Sequence, residues 1–155
     1  MTTLRGPRSR RKTSSPTQRG FPIGCGVDVV ELSRFKQAMR RGGEAFVRRV
    51  FTPREQLYAR RRRRTTLLHL AGRFAAKEAV IKAVSQVDPT RTLAMKDIEV
   101  CNDRLGRPSI LLHDGPRRGL AIHISLSHVN SVAVASAIAI HSASRNVSHR
   151  NRNAD

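Results

Sequence analysis

The chain has 155 residues, of which 30 are Lys or Arg and 11 are Asp or Glu, so its formal net charge is +19. This length suits one domain, and the charge favours anionic partners such as nucleotides, nucleic acids or acidic proteins. No apolar run approaches the ~20 residues of a membrane span, and the two distant cysteines, Cys25 and Cys101, fit neither a disulfide framework nor a zinc site. The first 20 residues lack the apolar segment of a secretory signal, so we expect a cytoplasmic protein with reduced thiols.

Composition divides the chain into three parts. Residues 1–20 carry six positive charges and no acid, and residues 142–155 are polar again. Both segments are predicted to be flexible tails, although an Arg- and Ser-rich start is also compatible with an organelle transit peptide. Residues 21–141 hold nearly all of the apolar periodicity and are predicted to form the single domain. This block has 21 basic and 10 acidic residues, a net charge of +11, so the tails do not account for the whole excess.

The first half of the domain begins with a short apolar strand at 23–30. Ser33 is placed to cap a helix that starts at Arg34 and stops at Gly42 and Gly43, and residues 44–50 predict another short helical piece. The sequence Thr52-Pro53-Arg54-Glu55 has the pattern of a capping box. It predicts a helix that continues into the arginines 60–64.

The second half combines one long helix with several strands. Apolar residues at helical spacing predict a helix over 67–84, which Asp88 and Pro89 end. Strands are predicted at 98–101, 109–112, 121–128 and 132–140, and Gly106 suits a turn position with positive φ between the first two. We therefore predict an α+β fold in which a long helix packs against an antiparallel-rich sheet.

Two features carry carboxylates in positions that suit a metal site. Asp28 ends an apolar strand, where the sheet would hold a metal ligand rigidly, although position alone favours a turn or capping role. Glu78 and Lys82 share one face of the long helix, as do Arg73 and Lys77. Because the positions between them are nearly all apolar or alanine, this helix is predicted to be largely buried, and its charges then need partners. A carboxylate flanked by cations on such a helix suits a metal-plus-phosphate site.

Two further features are a histidine and a run of arginines. His128 ends a predicted strand next to Ser127, but neighbours on a strand point to opposite faces, which is poor geometry for a nucleophile and base pair. A structural or solvated role for the imidazole stays open. The five arginines at 60–64 form either a solvated charge run or a surface that binds phosphate or nucleic-acid backbone.

Several motifs in this order resemble holo-acyl-carrier-protein synthase, the bacterial group of 4′-phosphopantetheinyl transferases. They are GVDVVELSR at 26–34, AGRFAAKEA at 71–79 followed by Lys82, DIEV at 97–100, GRP at 106–108 and ISLSH at 124–128. The first two are long and specific, and the resemblance covers residues 23–140. It implies a single 4′-phosphopantetheinyl transferase domain that moves phosphopantetheine from coenzyme A to a serine of apo-acyl-carrier protein and releases adenosine 3′,5′-bisphosphate.

The resemblance also implies roles for individual residues. Asp28 and Glu78 would hold Mg²⁺, and these two carboxylates together with Lys82 and His128 would form the catalytic set. Coenzyme A would be bound by Arg63, Arg64, Arg73, Lys82, Gly106, Pro108 and His128. Val129 stands where many family members have Asp or another polar residue, so His128 lacks that acid support. We therefore expect His128 to assist without being the sole base, with a magnesium-bound water as the other route.

The implied partners are an acidic acyl-carrier protein, docked near Arg34 on the first helix, and further copies of the chain in a homotrimer with active sites between subunits. The competing hypothesis is a non-enzymatic basic protein that binds nucleic acid. Asp28, Glu78 and the apolar helix argue against it, because binding to a phosphate backbone needs none of them. In an active transferase, we expect nucleic acid to bind only non-specifically, through the basic tails.

Overall fold

The computed structural model describes residues 22–113 and 119–141, so the predicted tails, residues 1–20 and 142–155, lie outside the described residues. The helices and strands, in chain order, are β1 (Ile23–Glu31), α1 (Leu32–Val50), α2 (Pro53–Arg60), α3 (Thr66–Val87), β2 (Ile98–Asn102), β3 (Pro108–Leu112), β4 (Leu120–His128) and β5 (Val132–His141). Short 3-10 helices precede α3 at Arg63–Thr65 and β2 at Met95–Asp97. No helix among the described residues is long and apolar enough to cross a membrane.

The strands form two antiparallel sheets. One has the order β1-β5-β4, and the other is the β2-β3 hairpin. The long helix α3 packs mainly on β1 and β5, where every second residue of β5, from Ala133 to Ala139, is a buried alanine. The predicted α+β fold with a long helix on an antiparallel sheet is therefore confirmed, with the hairpin as a separate small sheet.

Close packing of α3 against β1 orients the first candidate residue. A Cβ on Gly26 would lie 2.0 Å from the carbonyl oxygen of Ala79, and one on Gly24 would lie 2.1 Å from that of Ala83. Only glycine permits such an approach of two backbones. Because alternate residues of a strand share a face, Asp28 points the same way as these two glycines. Its carboxylate therefore faces the same side of the sheet as α3.

The first helix differs from its prediction at its start. It begins at Leu32, so Ser33 lies inside the first turn, where its hydroxyl donates to the Glu31 carboxylate instead of capping the helix. Helical geometry breaks at Gly43, which has φ 54° and ψ −149°, and resumes up to Val50. The predicted stop at the glycine pair and the predicted helical piece at 44–50 are therefore confirmed as two helical parts that meet at a kink. Glycine adopts a positive φ at little cost, so the chain changes direction there and resumes helical geometry after one residue.

The second helix begins as predicted and ends early. Thr52 and Glu55 form the reciprocal capping box, with each side chain bonded to the other residue's backbone N–H. The helix ends at Arg60 and does not continue through the arginine run. Hydroxyls of Thr65 and Thr66 donate to the carbonyl of Arg62, a competing local bond that favours a turn over further helix.

Candidate active site

Three of the predicted site residues lie together where β1 meets α3. The Lys82 ammonium donates to Asp28 Oδ1 at 2.8 Å and to the Val27 carbonyl at 3.0 Å. Burial and the nearby Asp28 carboxylate raise the pKa of Glu78, and Lys82 opposes them only in part. We call Asp28, Glu78 and Lys82 the acidic cluster. The sequence placed Lys82 beside Glu78 on one helix face, but its hydrogen bond crosses to the strand.

The acidic cluster opens into a cleft between α1 and α3. Asp28 and Glu78 line this cleft, whose volume is about 630 Å³. Two arginines of α1, Arg34 and Arg41, also line it, together with the aromatic rings of Phe35, Phe46 and Phe74. Glu31 also lines the cleft, so the site combines three carboxylates, two cations and an apolar wall, which suits a ligand with a charged group and a less polar arm.

The donor set of the acidic cluster fits a Mg²⁺ ion. Mg²⁺ takes one or two carboxylates and completes its six positions with water and phosphate oxygens. Asp28 and Glu78 supply the two carboxylates, and a bound dication would offset the charge of Asp28, which adds to burial in raising the pKa of Glu78. No group of three or more His, Cys, Asp or Glu suited to a metal occurs within the described residues. The remaining ligands would thus come from water and substrate.

A second set of predicted residues lies around Tyr58. The guanidinium carbon of Arg62 lies 3.6 Å from the centre of the Tyr58 ring, and that of Arg73 lies 3.8 Å from it. Arg73 is only 6% exposed and donates to Asn102 Oδ1 at 2.8 Å and to the His69 carbonyl at 3.4 Å. Its Nε is the one buried side-chain nitrogen or oxygen without a hydrogen-bond partner within the described residues. A buried cation with a free N–H is arranged to receive an anion.

Asn102 joins Arg73 to the turn predicted to contact coenzyme A. The Asn102 side chain accepts from Arg73 and donates to the Gly106 carbonyl at 2.9 Å. Gly106 has φ 81°, the left-handed conformation predicted for it, and Pro108 pairs with Asn102 at the start of the hairpin. The side-chain amide of Asn102 therefore links Arg73 to Gly106 by hydrogen bonds, and Asn102 itself pairs with Pro108.

The imidazole of His128 lies at the same edge of the domain. His128 pairs with the buried Ala133, so its side chain lies on the α3 face of the sheet and Ser127 lies on the other, as predicted. Its ring is 6.5 Å from that of His69 and perpendicular to it, and His69 in turn stands edge-on to Tyr58 at 5.5 Å. Burial, followed by the charges of Arg62 and Arg73, lowers the pKa of His69. We call Tyr58, Arg62, His69, Arg73, Asn102 and His128 the basic cluster.

Arg63 and Arg64, predicted to bind coenzyme A, are exposed in the short 3-10 helix. They line a shallow depression formed by residues 60–65. Their neighbour Arg62 is the arginine of the run that contacts Tyr58. Arg62 belongs to the arginine run that was predicted as a possible phosphate-binding surface, although it was not among the residues predicted to bind coenzyme A. Sequence reasoning missed Tyr58, His69 and Asn102. The spacing of Tyr58 and Arg62, four residues apart, was the available signal.

The two clusters lie at opposite edges of the sheet. Asp28 is on β1 and His128 on β4, and β5 separates them, which places the two strands about 10 Å apart. Along α3, Glu78 lies five residues from Arg73 and nine from His69, or about 8 and 14 Å of helix axis. One chain therefore carries two separated groups of site residues.

A buried ion pair supports the helix that carries Glu78. The Lys77 ammonium contacts Glu55 Oε2 at 2.7 Å, and both side chains are fully buried. Lys77 also donates to the carbonyls of Val50 and Met95, while Glu55 accepts from the Val100 N–H. This network joins α1, α2, α3 and β2. The sequence paired Lys77 with Arg73 on one helix face and did not indicate Glu55.

Comparison with known proteins identifies similar chains. The family description that matches residues 24–137 is that of the 4′-phosphopantetheinyl transferase superfamily. The holo-[acyl-carrier-protein] synthase of Clostridium perfringens (strain SM101) is 39% identical over 123 residues, which cover 73% of this chain and 90% of the relative. The synthase of Caldicellulosiruptor saccharolyticus is 42% identical, with 76% and 95% covered.

Solved structures give the same match. The ACPS–CoA complex of Chronobacterium ammoniagenes has a TM-score of 0.66 at 32% identity, and the match covers 78% of this chain and 98% of that one. The Bacillus anthracis holo-(acyl-carrier-protein) synthase, in complex with CoA (3′,5′-ADP), has a TM-score of 0.61 at 30% identity, with 77% and 96% covered.

Proposed function

The chain belongs to the holo-acyl-carrier-protein synthases of the 4′-phosphopantetheinyl transferase superfamily, and we propose that it transfers 4′-phosphopantetheine from coenzyme A to a serine of an apo-acyl-carrier protein. The reaction would require Mg²⁺ and release adenosine 3′,5′-bisphosphate. This assignment as an enzyme replaces the hypothesis of a non-enzymatic nucleic-acid-binding protein. The observation that carries the proposed chemistry is the pair of carboxylates, Asp28 and Glu78, that line one cleft beside Lys82.

The acidic cluster would hold the pyrophosphate of coenzyme A. Asp28 and Glu78 would bind Mg²⁺, which when bound neutralises charge on the phosphates. Lys82 is half-exposed and sits on Asp28, so its ammonium can turn from the carboxylate to a phosphate oxygen. Phosphoryl transfer needs positioning and charge neutralisation more than covalent work from the enzyme. The nucleophile belongs to the carrier serine, and this chain needs to supply none.

The basic cluster would bind the adenosine 3′,5′-bisphosphate part of coenzyme A. Arg73 has a buried guanidinium with a free Nε–H, and charge-assisted bonds from arginine to phosphate are strong and directional. The turn at Gly106 and Pro108 is tied to Arg73 through Asn102 and would contact the same group. Arg63 and Arg64 lie on the exposed run beside Arg62 and would add charge near the 3′-phosphate.

His128 would contact coenzyme A and help remove the proton of the carrier serine. Imidazole is the side chain most often used for proton transfer near neutral pH. The next residue, Val129, has no carboxylate that could orient the His128 ring. The ring of His69 packs edge-on against the His128 ring. We therefore propose that His128 assists the reaction and is not its sole base.

One active site would be completed by two copies of the chain. Asp28 and His128 lie on opposite edges of one sheet, and the resemblance implies active sites between subunits, so one coenzyme A molecule would contact the acidic cluster of one chain and the basic cluster of its neighbour. The outer face of the sheet also exposes Val27, Val29 and Ile138, each close to half-exposed or more, and an apolar patch of this kind suits a subunit interface. We propose a homotrimer, with a mass near three times 17.3 kDa.

The carrier protein would dock beside the cleft on α1. Arg34 and Arg41 line the cleft that contains the acidic cluster, and an acidic partner would be steered to these cations. The reduced cytoplasm is the proposed compartment, in keeping with the free thiols of Cys25 and Cys101.

The test is transfer itself. The protein is incubated with coenzyme A, Mg²⁺ and an apo-acyl-carrier protein, and the carrier is analysed by mass spectrometry. We expect a phosphopantetheine adduct on one serine, with an equal amount of adenosine 3′,5′-bisphosphate. Asp28→Ala and Glu78→Ala should each slow the reaction by orders of magnitude and keep the fold. Folded variants with near-normal rates at every Mg²⁺ concentration would overturn the metal assignment.

A further inference from the structure

Tyr58 stands between two arginines in a geometry that simple surface packing does not require. The guanidinium carbons of Arg62 and Arg73 lie 3.6 and 3.8 Å from the centre of its ring. Two planar guanidinium groups this close to one ring centre would collide if they shared a face, so they must lie on opposite faces. The ring therefore separates two positive charges by roughly 7 Å, each in cation–π contact.

This arrangement holds together cations that repel each other. Arg73 is nearly buried, and its hydrogen bonds go to neutral oxygens, those of Asn102 and His69, with a further side-chain bond to Tyr58. Burial of a charge among neutral acceptors is costly. The negative face of an aromatic ring compensates part of that cost while leaving the N–H edges of the guanidinium free for a ligand. A carboxylate in the same place would instead occupy those N–H groups.

We propose that Tyr58 is a positioning residue for phosphate binding, because its two ring faces hold Arg62 and Arg73 so that both present N–H groups to one phosphate monoester. The inference rests on the proposed function and adds to it a residue that touches neither substrate nor metal. It also assigns a ligand-binding role to Arg62, where the sequence indicated its neighbours Arg63 and Arg64.

The ring, and not the hydroxyl, carries this role. Tyr58→Phe keeps both aromatic faces, whereas Tyr58→Leu keeps an apolar side chain and loses the π system. Leu57 is the neighbouring residue on α2 and is half-exposed, so Leu57→Ala is a matched control outside the cluster.

The test measures binding of adenosine 3′,5′-bisphosphate and of adenosine 5′-monophosphate by calorimetry, so it does not depend on transfer. The wild-type chain should prefer the bisphosphate. Tyr58→Leu should weaken bisphosphate binding about tenfold, the loss of one or two cation–π contacts, and leave the monophosphate nearly unchanged. Tyr58→Phe and Leu57→Ala should bind both nucleotides like the wild type.

Arg62→Gln is a second variant for the same binding test. Because Arg62 is exposed, this variant should fold even if Tyr58→Leu does not. It should lose part of the preference for the bisphosphate, and the double variant with Tyr58→Leu should lose no more than the single Tyr58→Leu variant. The inference is overturned if Tyr58→Leu binds both nucleotides like the wild type, if it weakens both equally, or if Tyr58→Phe fails to preserve the preference. Absence of carrier modification with the nucleotide preferences intact would instead count against the proposed function alone.

Discussion

Replacement of Lys77 by methionine should cost more stability than any exposed ion pair in the domain. The substitution removes the cation from a fully buried pair with a 2.7 Å contact. It leaves the Glu55 carboxylate buried without its counter-ion, and it leaves the carbonyls of Val50 and Met95 without their donor. Removal of one partner of a buried pair typically costs about 3–5 kcal/mol. A domain of this size has about 5–15 kcal/mol in total, so the variant should be marginal.

The assay is urea unfolding at one fixed protein concentration, because subunit association would otherwise shift the midpoint. For a slope of about 2 kcal/mol/M, the midpoint of Lys77→Met should fall by about 2 M. The control is Glu44→Ala, which breaks the exposed pair with Arg48 of equal 2.7 Å length. This change should cost less than about 0.5 kcal/mol.

A double variant separates the unpaired charge from the lost packing. In Lys77→Met with Glu55→Gln, no charge remains buried, and the amide oxygen can still accept from the backbone at Thr52 or Val100. Part of the lost stability should return. The reasoning is refuted if Lys77→Met costs less than about 1 kcal/mol, or if the double variant is no more stable than Lys77→Met alone.

Three further predictions concern backbone packing, pH and the imidazole. Gly26→Ala should prevent folding or reduce its yield sharply, because its Cβ would lie 2.0 Å from a carbonyl oxygen of α3; a soluble variant with a wild-type melting temperature would contradict this. Burial raises the pKa of Glu99, but hydrogen bonds and the charge of Arg54 lower it overall below 4.5. The stability that this carboxylate contributes is therefore present above pH 4.5 and lost as the pH falls through the lower folded-state pKa. Glu99→Gln should melt below the wild type at pH 7, and the gap should close in acid; a gap constant with pH would show that ionisation is irrelevant. His128→Ala should slow transfer less than Asp28→Ala and should weaken coenzyme A binding, whereas loss of the acid limb of its pH–rate profile and a rate equal to that of Asp28→Ala would make His128 the base.

Features set by neighbouring residues were predictable from the sequence. The capping box at Thr52 and Glu55 spans three residues, and the left-handed turn at Gly106 depends on one. Asp28 was predicted at the end of its strand, but it lies inside β1, where it pairs with Ala135 and the ladder continues to Glu31. Glu78 lies on the alanine-rich helix as predicted, and the approach of the two carboxylates follows from the resemblance to a known family. These signals are local because each depends on hydrogen bonds within one turn or on one face of one element.

Features that depend on tertiary packing were not predictable. Tyr58 and Arg62 share a helical spacing, but Arg73 reaches the ring from a different helix. Lys77 pairs with Glu55, which lies 22 residues earlier in the chain, and no pattern within α3 predicts that partner. The helix α2 ends early because threonine hydroxyls compete with backbone N–H groups for carbonyls. The free-energy difference between turn and helix is small there, and apolar periodicity does not indicate it. The sheet divides in two because β3 and β4 contact each other without forming a ladder.

The most direct test of the shared active site is complementation between two inactive variants. Asp28→Ala damages the acidic cluster and Arg73→Ala the basic cluster, and the two chains are co-expressed in equal amounts and assayed for transfer to the carrier. If each site takes one cluster from each of two neighbours, random assembly leaves both clusters intact in about one quarter of the sites, and activity should return to about that fraction of the wild type. If one chain supplies both clusters to its own site, no intact site can form, and a mixture as inactive as its two components would contradict the account.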